Sequence, residues 1–87
     1  MAGPQKNTLA IKILKLLLEE PGLNTRRIAD KIGAHYMVVR NKLYDLERRK
    51  LVKHEAVKRF VPGLTWILMN EWRITPRGKE WLKSQIS

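Results

Sequence analysis

The stretch NTRRIADKIGAHYMVVRNKLYDLERRKLV, residues 24–52, decides how this chain is read. It reads as a helix, a tight turn and a second helix. The amide oxygen of Asn24 can accept a bond from an orphan N–H of a first helical turn. Leu23 before it and Ile28 after it have the spacing of a hydrophobic staple. Gly33 ends that helix, because glycine takes up the left-handed conformation of a tight turn without steric cost. The following helix is expected from about Tyr36 to Arg49, with Val39, Leu43 and Leu46 as its buried face. Met37, Val38, Asn41, Lys42, Asp45 and the Arg48-Arg49-Lys50 cluster fall on the opposite face. Arg26 and Arg27 lie in the first turn of the earlier helix, where positive charge opposes the helix dipole. They read equally as two solvated arginines or as a seat for a phosphate, which would reverse the sign of that interaction.

On the N-terminal side, residues 1–7 are expected to form a flexible arm. A helix capped by Asn7 or Thr8 then runs to about Glu20, where Pro21-Gly22 stops it. Leu9, Ile13, Leu16 and Leu17 make one apolar stripe along it, and Ile11, Leu14 and Leu18 make a second. A surface helix needs only one such stripe, so the second must be covered by the C-terminal helix or by another subunit. On the C-terminal side, residues 51–61 and 65–75 are rich in β-branched and aromatic side chains and are broken by Pro62-Gly63, the pattern of a β-hairpin. Thr75-Pro76 opens a last helix, with Thr as cap and Pro at the first position. Trp81, Leu82 and Ile86 give it an apolar side. The order helix, helix, helix, strand, strand, helix makes a mainly α fold with a small β-hairpin (α+β), one domain over residues 8–87. If Trp72 and Ile74 point inward, period-two alternation puts Trp66 and Leu68 on their side and Ile67 and Met69 outside. The apolar run around the hairpin tip must fold back on the body, pack in a dimer or grip another protein, with dimer packing preferred.

Composition narrows the function. Eighty-seven residues build one modest core and leave little room for an enzyme cleft. Eighteen Lys and Arg stand against eight Asp and Glu, a formal net charge of +10, so the expected partners are polyanions: DNA, RNA or an anionic membrane. Residues 26–59 hold eleven basic and four acidic side chains, which concentrates seven of those ten charges on one segment. Such concentration favours a binding face over general solubility. Cysteine is absent, which excludes disulfides and thiolate metal sites. The two histidines, His35 and His54, are far apart in sequence, so neither a metal nor another cofactor is expected. No stretch reaches the roughly 18 apolar residues of a membrane span. The start MAGPQKNT lacks the apolar core of an export signal. A cytoplasmic, nucleoid-associated protein is the expectation. No nucleophile sits in a recognisable setting, no glycine-rich phosphate loop occurs, and Glu19-Glu20 reads as a helix end, so no enzyme chemistry is expected.

Residues 28–52, IADKIGAHYMVVRNKLYDLERRKLV, resemble the winged-helix core of small prokaryotic repressors such as the arsenical-sensing and multiple-antibiotic-resistance families. Ala29, Gly33, Val39, Leu43, Leu46, Glu47, Leu51 and Val52 occupy the positions of that pattern. The run Trp72-Arg73-Ile74-Thr75-Pro76-Arg77-Gly78 is similar to the motif that closes the wing in many such regulators, notably archaeal ones. The resemblance covers about residues 8–86 and implies a winged helix-turn-helix whose third helix enters the major groove. Base contacts would then come from His35, Tyr36, Met37, Val38, Arg40, Asn41 and Lys42. Asn pairs with adenine, Arg or Lys with guanine, and Val or Met packs on a thymine methyl. Met37, Val38 and Tyr36 read alternatively as core residues. Phosphate contacts would come from Arg26, Arg27, Lys42, Arg48, Arg49, Lys53, Lys58 and Arg59. The resemblance implies a homodimeric transcriptional regulator of double-stranded DNA. Ile11, Leu14, Leu18, Trp66, Ile67, Met69 and Trp81 are the expected contacts with a second copy or other partner. A non-specific DNA-coating protein and an adapter for RNA or protein remain as alternatives. The wing departs from the family pattern, which is polar and basic at the tip, whereas residues 60–69 here read FVPGLTWILM.

Overall fold

Local signals set the element boundaries. The computed structural model describes residues 8–86, with only the backbone at Ile86. The expected arm at residues 1–7, the cap at Asn7 and the Ile86 side chain lie outside the described residues. Helix α1 spans Thr8–Glu19, and a two-residue strand β1 follows at Leu23–Asn24. Helix α2 spans Thr25–Ile32, and α3 spans Tyr36–Arg48. Strands β2 (Val52–Val61) and β3 (Thr65–Ile74) form the hairpin, and α4 (Pro76–Ile86) closes the chain. The helices and the hairpin stand where capping residues, Gly33 and Pro62-Gly63 place them.

Strand β1 is an addition to the expected order. It pairs antiparallel with β3 through Leu23 opposite Trp72 and Asn24 opposite Glu71, giving a three-stranded sheet in the order β1-β3-β2. Two residues are too few to show a period of two, so this strand leaves no pattern in the sequence. The hairpin register runs from Val52 opposite Ile74 to Val61 opposite Thr65. Leu64 N–H donates to Val61 O at 2.9 Å and closes the turn at the tip.

The core joins α1, α2, α3 and the base of the sheet. Ile13, Leu14, Leu17, Ile28, Val39, Leu43, Leu46 and Trp72 are completely buried. Trp72 is the largest of them, and its indole N–H donates to Thr25 Oγ1 at 3.0 Å. That bond satisfies a polar atom that burial would otherwise strand. Leu82 of α4 is also buried, and α4 packs along α1.

This packing corrects the expectation for the second stripe of α1. Leu14 belongs to the chain's own core and is not free for a second copy, while Ile11 and Trp81 are half-buried against that core. Helix α1 is enclosed by α4 on one side and by α2, α3 and β3 on the other. Both stripes are therefore used within one chain, and only Leu18 of the second remains exposed.

The Thr75-Pro76-Arg77-Gly78 motif has a structural cause. Thr75 Oγ1 accepts from Gly78 N–H at 2.9 Å and donates to Lys50 O at 2.7 Å, while Thr75 N–H donates to Leu51 O at 3.1 Å. One threonine thus caps α4 and ties it to the end of α3. No helix among the described residues is long and apolar enough to cross a membrane.

Candidate nucleic-acid interface

Helix α2 begins at the cap Asn24, whose Oδ1 accepts from Arg27 N–H at 2.9 Å. It ends at Gly33, with φ +77 and its N–H donating to Ala29 O. This left-handed residue turns the chain toward α3. His35 then caps α3: its Nδ1 accepts from Met37 N–H at 3.1 Å. The ring expected to read bases therefore has a structural duty at the helix start.

Burial of Val39, Leu43 and Leu46 orients α3, and the opposite side is bare. Met37 is 45% exposed and Val38 52%, which decides against the core reading of both. Asn41 is exposed, and among the described residues its amide has no hydrogen-bond partner. Arg40 and Lys42 are half-buried at the flanks. Arg40 stacks its guanidinium over the Tyr44 ring, 5.4 Å from the centroid, so its fork is held in place. Tyr44 was not among the expected residues; its position four after Arg40 is the signal that could have found it. Tyr36 is exposed rather than core. It lines a cleft of about 300 Å³ with Asn24, Thr25, Arg26, Leu68, Met69 and Asn70, where the wing meets the start of α3.

The expected phosphate contacts divide into four groups. Arg27, Lys53 and Lys58 are exposed and, among the described residues, make no ion pair. Arg26 lies 4.0 Å from Asp30, and Arg48 lies 3.2 Å from Asp45. Exposed pairs of this kind contribute about 0–1 kcal/mol, so neither carboxylate holds its arginine firmly. Arg49 packs over the Trp81 ring at 5.6 Å, on the α4 side of the molecule. Arg59 departs from expectation. Its Nε and Nη2 both donate to the Glu71 carboxylate, at 2.7 and 2.9 Å. Glu71 is almost fully buried, and withdrawing the arginine would leave an uncompensated carboxylate in the sheet. Arg59 is thus committed within the chain and is not free for a phosphate.

Hairpin alternation also comes out differently from the sequence reading. Trp66 and Leu68 share the Trp72 face as expected, yet they are exposed, while Ile67 and Met69 on the other face are half-buried. Two ten-residue strands reach about 30 Å. The inner face beyond Asn70 therefore runs past the body and has nothing above it. Met69 stays partly covered through Asn24, whose Nδ2 donates to the sulfur at 3.5 Å.

His54 sits apart from His35 and binds Glu47, with Nδ1 2.6 Å from Oε2 and the His54 N–H donating to the same oxygen at 3.2 Å. It also packs on Trp72, with ring centroids 4.8 Å apart. Its role is to join the end of α3 to β2. Among the described residues no three His, Asp or Glu side chains cluster as metal ligands.

No protein-family model matches the chain, and no curated protein is similar to it. Solved structures are. The PcaV transcriptional regulator of Streptomyces coelicolor, solved with its natural ligand, superposes at a TM-score of 0.70 with 22% identity over 95% of this chain and 55% of its own. The antimony-specific transcriptional repressor AntR gives 0.68 and 21% identity over 93% of this chain and 66% of its own. ZitR of Lactococcus lactis, described as a zinc-responsive MarR family member, gives 0.69 and 18% identity over 97% and 54%. The chain thus spans between about half and two thirds of the length of these regulators. Its arrangement of four helices with a three-stranded antiparallel sheet is the winged helix-turn-helix fold that they share.

Proposed function

We propose that this protein is a transcriptional regulator that binds double-stranded DNA, with α3 in the major groove and basic side chains on the phosphates. One observation carries the reading: α3 exposes Met37, Val38 and an unpartnered Asn41 on a single bare face of a chain with net charge +10. Uncovered apolar side chains beside a free carboxamide suit thymine methyls and an adenine edge. Arg27 and Lys53 lie free to hold the backbone and fix the register without reading sequence.

Two copies on a palindromic site are the proposed assembly, with half-sites about 34 Å apart. Leu18, half-exposed on α1, is the apolar side chain left for that contact, beside the partly covered Ile11. A regulator of this kind acts at the nucleoid.

Selection from a random duplex library at stated salt, followed by competition with random DNA, tests the reading. The selected site is expected to win by roughly 10³-fold or more. Asn41→Ala is expected to narrow that margin about tenfold while leaving the fold intact. Equal binding of every duplex would instead mark a DNA-coating protein. Light scattering with and without the selected duplex tests the two-copy assembly, and a single copy per duplex throughout would refute it.

A further inference from the structure

The hairpin tip is the largest feature that the reading above leaves unused. Phe60, Leu64, Trp66 and Leu68 are 59–68% exposed, more than any other large apolar side chains of the described chain. The register sets Phe60 opposite Trp66 and Lys58 opposite Leu68, so the two aromatic rings, Leu68 and Lys58 share one face of a two-stranded ribbon. The rings meet edge to face, with centroids 5.6 Å apart. Resting on the DNA-binding reading, we propose that this tip is an apolar wedge. It enters the minor groove beside the major groove held by α3, unstacks a base step with Phe60 and Trp66, and bends the duplex.

Three observations select this occupant. The first is continuity. Leu68 lines the same cleft as Tyr36, the first residue of α3, and Arg26 of α2, so the tip face runs on from the surface offered to DNA. The second is charge. Residues 58–68 contain Lys58 and Arg59 and no acidic side chain, which suits a polyanion. With Arg59 held by Glu71, the tip keeps one free cation, Lys58, in the middle of its apolar face. Two tips packed on each other through this face would each have to bury a Lys58 amine among apolar side chains. The third is shape and reach. Strands spaced about 4.8 Å apart make a ribbon narrow enough to address a groove rather than a flat surface. Major and minor grooves follow each other at about half of a 34 Å turn, and a hairpin of about 30 Å spans that step. Apolar side chains wedged into the minor groove unstack base steps and kink the duplex, and pyrimidine–purine steps yield most easily. Aromatic rings replace part of the lost stacking.

The test uses the full chain and a 30-base-pair duplex carrying a central TpA step, with 2-aminopurine in that step and a donor and acceptor dye at the ends. Binding is read by anisotropy, unstacking by 2-aminopurine emission, and bending by energy transfer between the ends. The expected result is that the protein raises both signals on binding. The double variant Phe60→Ser, Trp66→Ser, whose changed side chains are exposed, should still bind, about 10–100-fold more weakly, with neither signal. A duplex that is bound but straight and stacked overturns the wedge and leaves the DNA reading standing. So does bending that persists in the double variant. No binding of the duplex in dilute buffer overturns both. Two further outcomes also defeat the wedge: the double variant changing the oligomeric state while DNA bending persists, or the tip binding anionic phospholipid vesicles while the duplex stays straight.

Discussion

Gly78 sits on the first turn of α4 where a side chain has no room. A Cβ there would lie 2.1 Å from the Leu51 carbonyl oxygen and 2.8 Å from Ile74 Cγ1, and the first of these is backbone. Gly78→Ala must push α4 off the end of α3, and overpacking of this kind costs about 1–3 kcal/mol or more. In a chain of this size the melting temperature should fall by about 5 °C or more, measurable by circular dichroism. Thr25 tests the other half of the core. Thr25→Val keeps the shape and leaves the buried Trp72 N–H without an acceptor, at a cost of about 1–3 kcal/mol, read from urea unfolding. The resemblance marked Gly78 through the Thr-Pro-x-Gly motif, but nothing in sequence marked Thr25. Its partner is 47 residues away, and a threonine in a first helical turn is otherwise unremarkable.

Helix α1 and the wing show how an element's surroundings override its pattern. Two stripes on α1 were legible from spacing, and the sequence left open whether α4 or another subunit covers the second. Packing settles it for Leu14, which the chain itself encloses, and leaves Leu18 outside. Leu14→Ala should therefore cost about 2–5 kcal/mol in urea unfolding. Leu18→Ala should change stability by no more than about 0.5 kcal/mol, since it removes exposed surface. Equal effects would sink this assignment of the two stripes. In the wing, alternation gave the faces correctly but not their burial. The side of Trp66 and Leu68 is inner only as far as the body extends. The cross-strand Arg59–Glu71 pair is a further consequence of register, since Arg59 lies on the same face as Glu71 and two same-face pairs nearer the tip, within reach of its long side chain. Arg59→Ala should lower stability by about 3 kcal/mol through the stranded Glu71, with DNA affinity less affected than by Lys58→Ala.

At the scale of the whole molecule, charge governs association. Residues 26–59 carry most of the positive excess, but side chains of the protein already engage part of it. Setting aside Arg59 and the Trp81-stacked Arg49, five or six of the expected phosphate contacts can act together. The logarithm of the affinity should then fall against the logarithm of salt with a slope of roughly −4 to −6. A titration across salt concentrations that returns a slope near zero would contradict a phosphate-held complex. Arg27→Ala and Lys53→Ala should each reduce the slope by about 1, and should weaken site and random duplexes alike.

The order and boundaries of the helices and the hairpin were determined by the sequence alone. Caps, a left-handed glycine, Pro-Gly breaks and apolar periods all act over a few residues, so the chain states them locally. Tertiary structure alone decided which apolar side chains are covered, as in Leu14 against Leu18, and which cations are free, as in Lys58 against Arg59. It also decided that Leu23–Asn24 forms a strand. Each of these depends on a neighbour brought in from a distant part of the chain, and no local spacing encodes that neighbour's position.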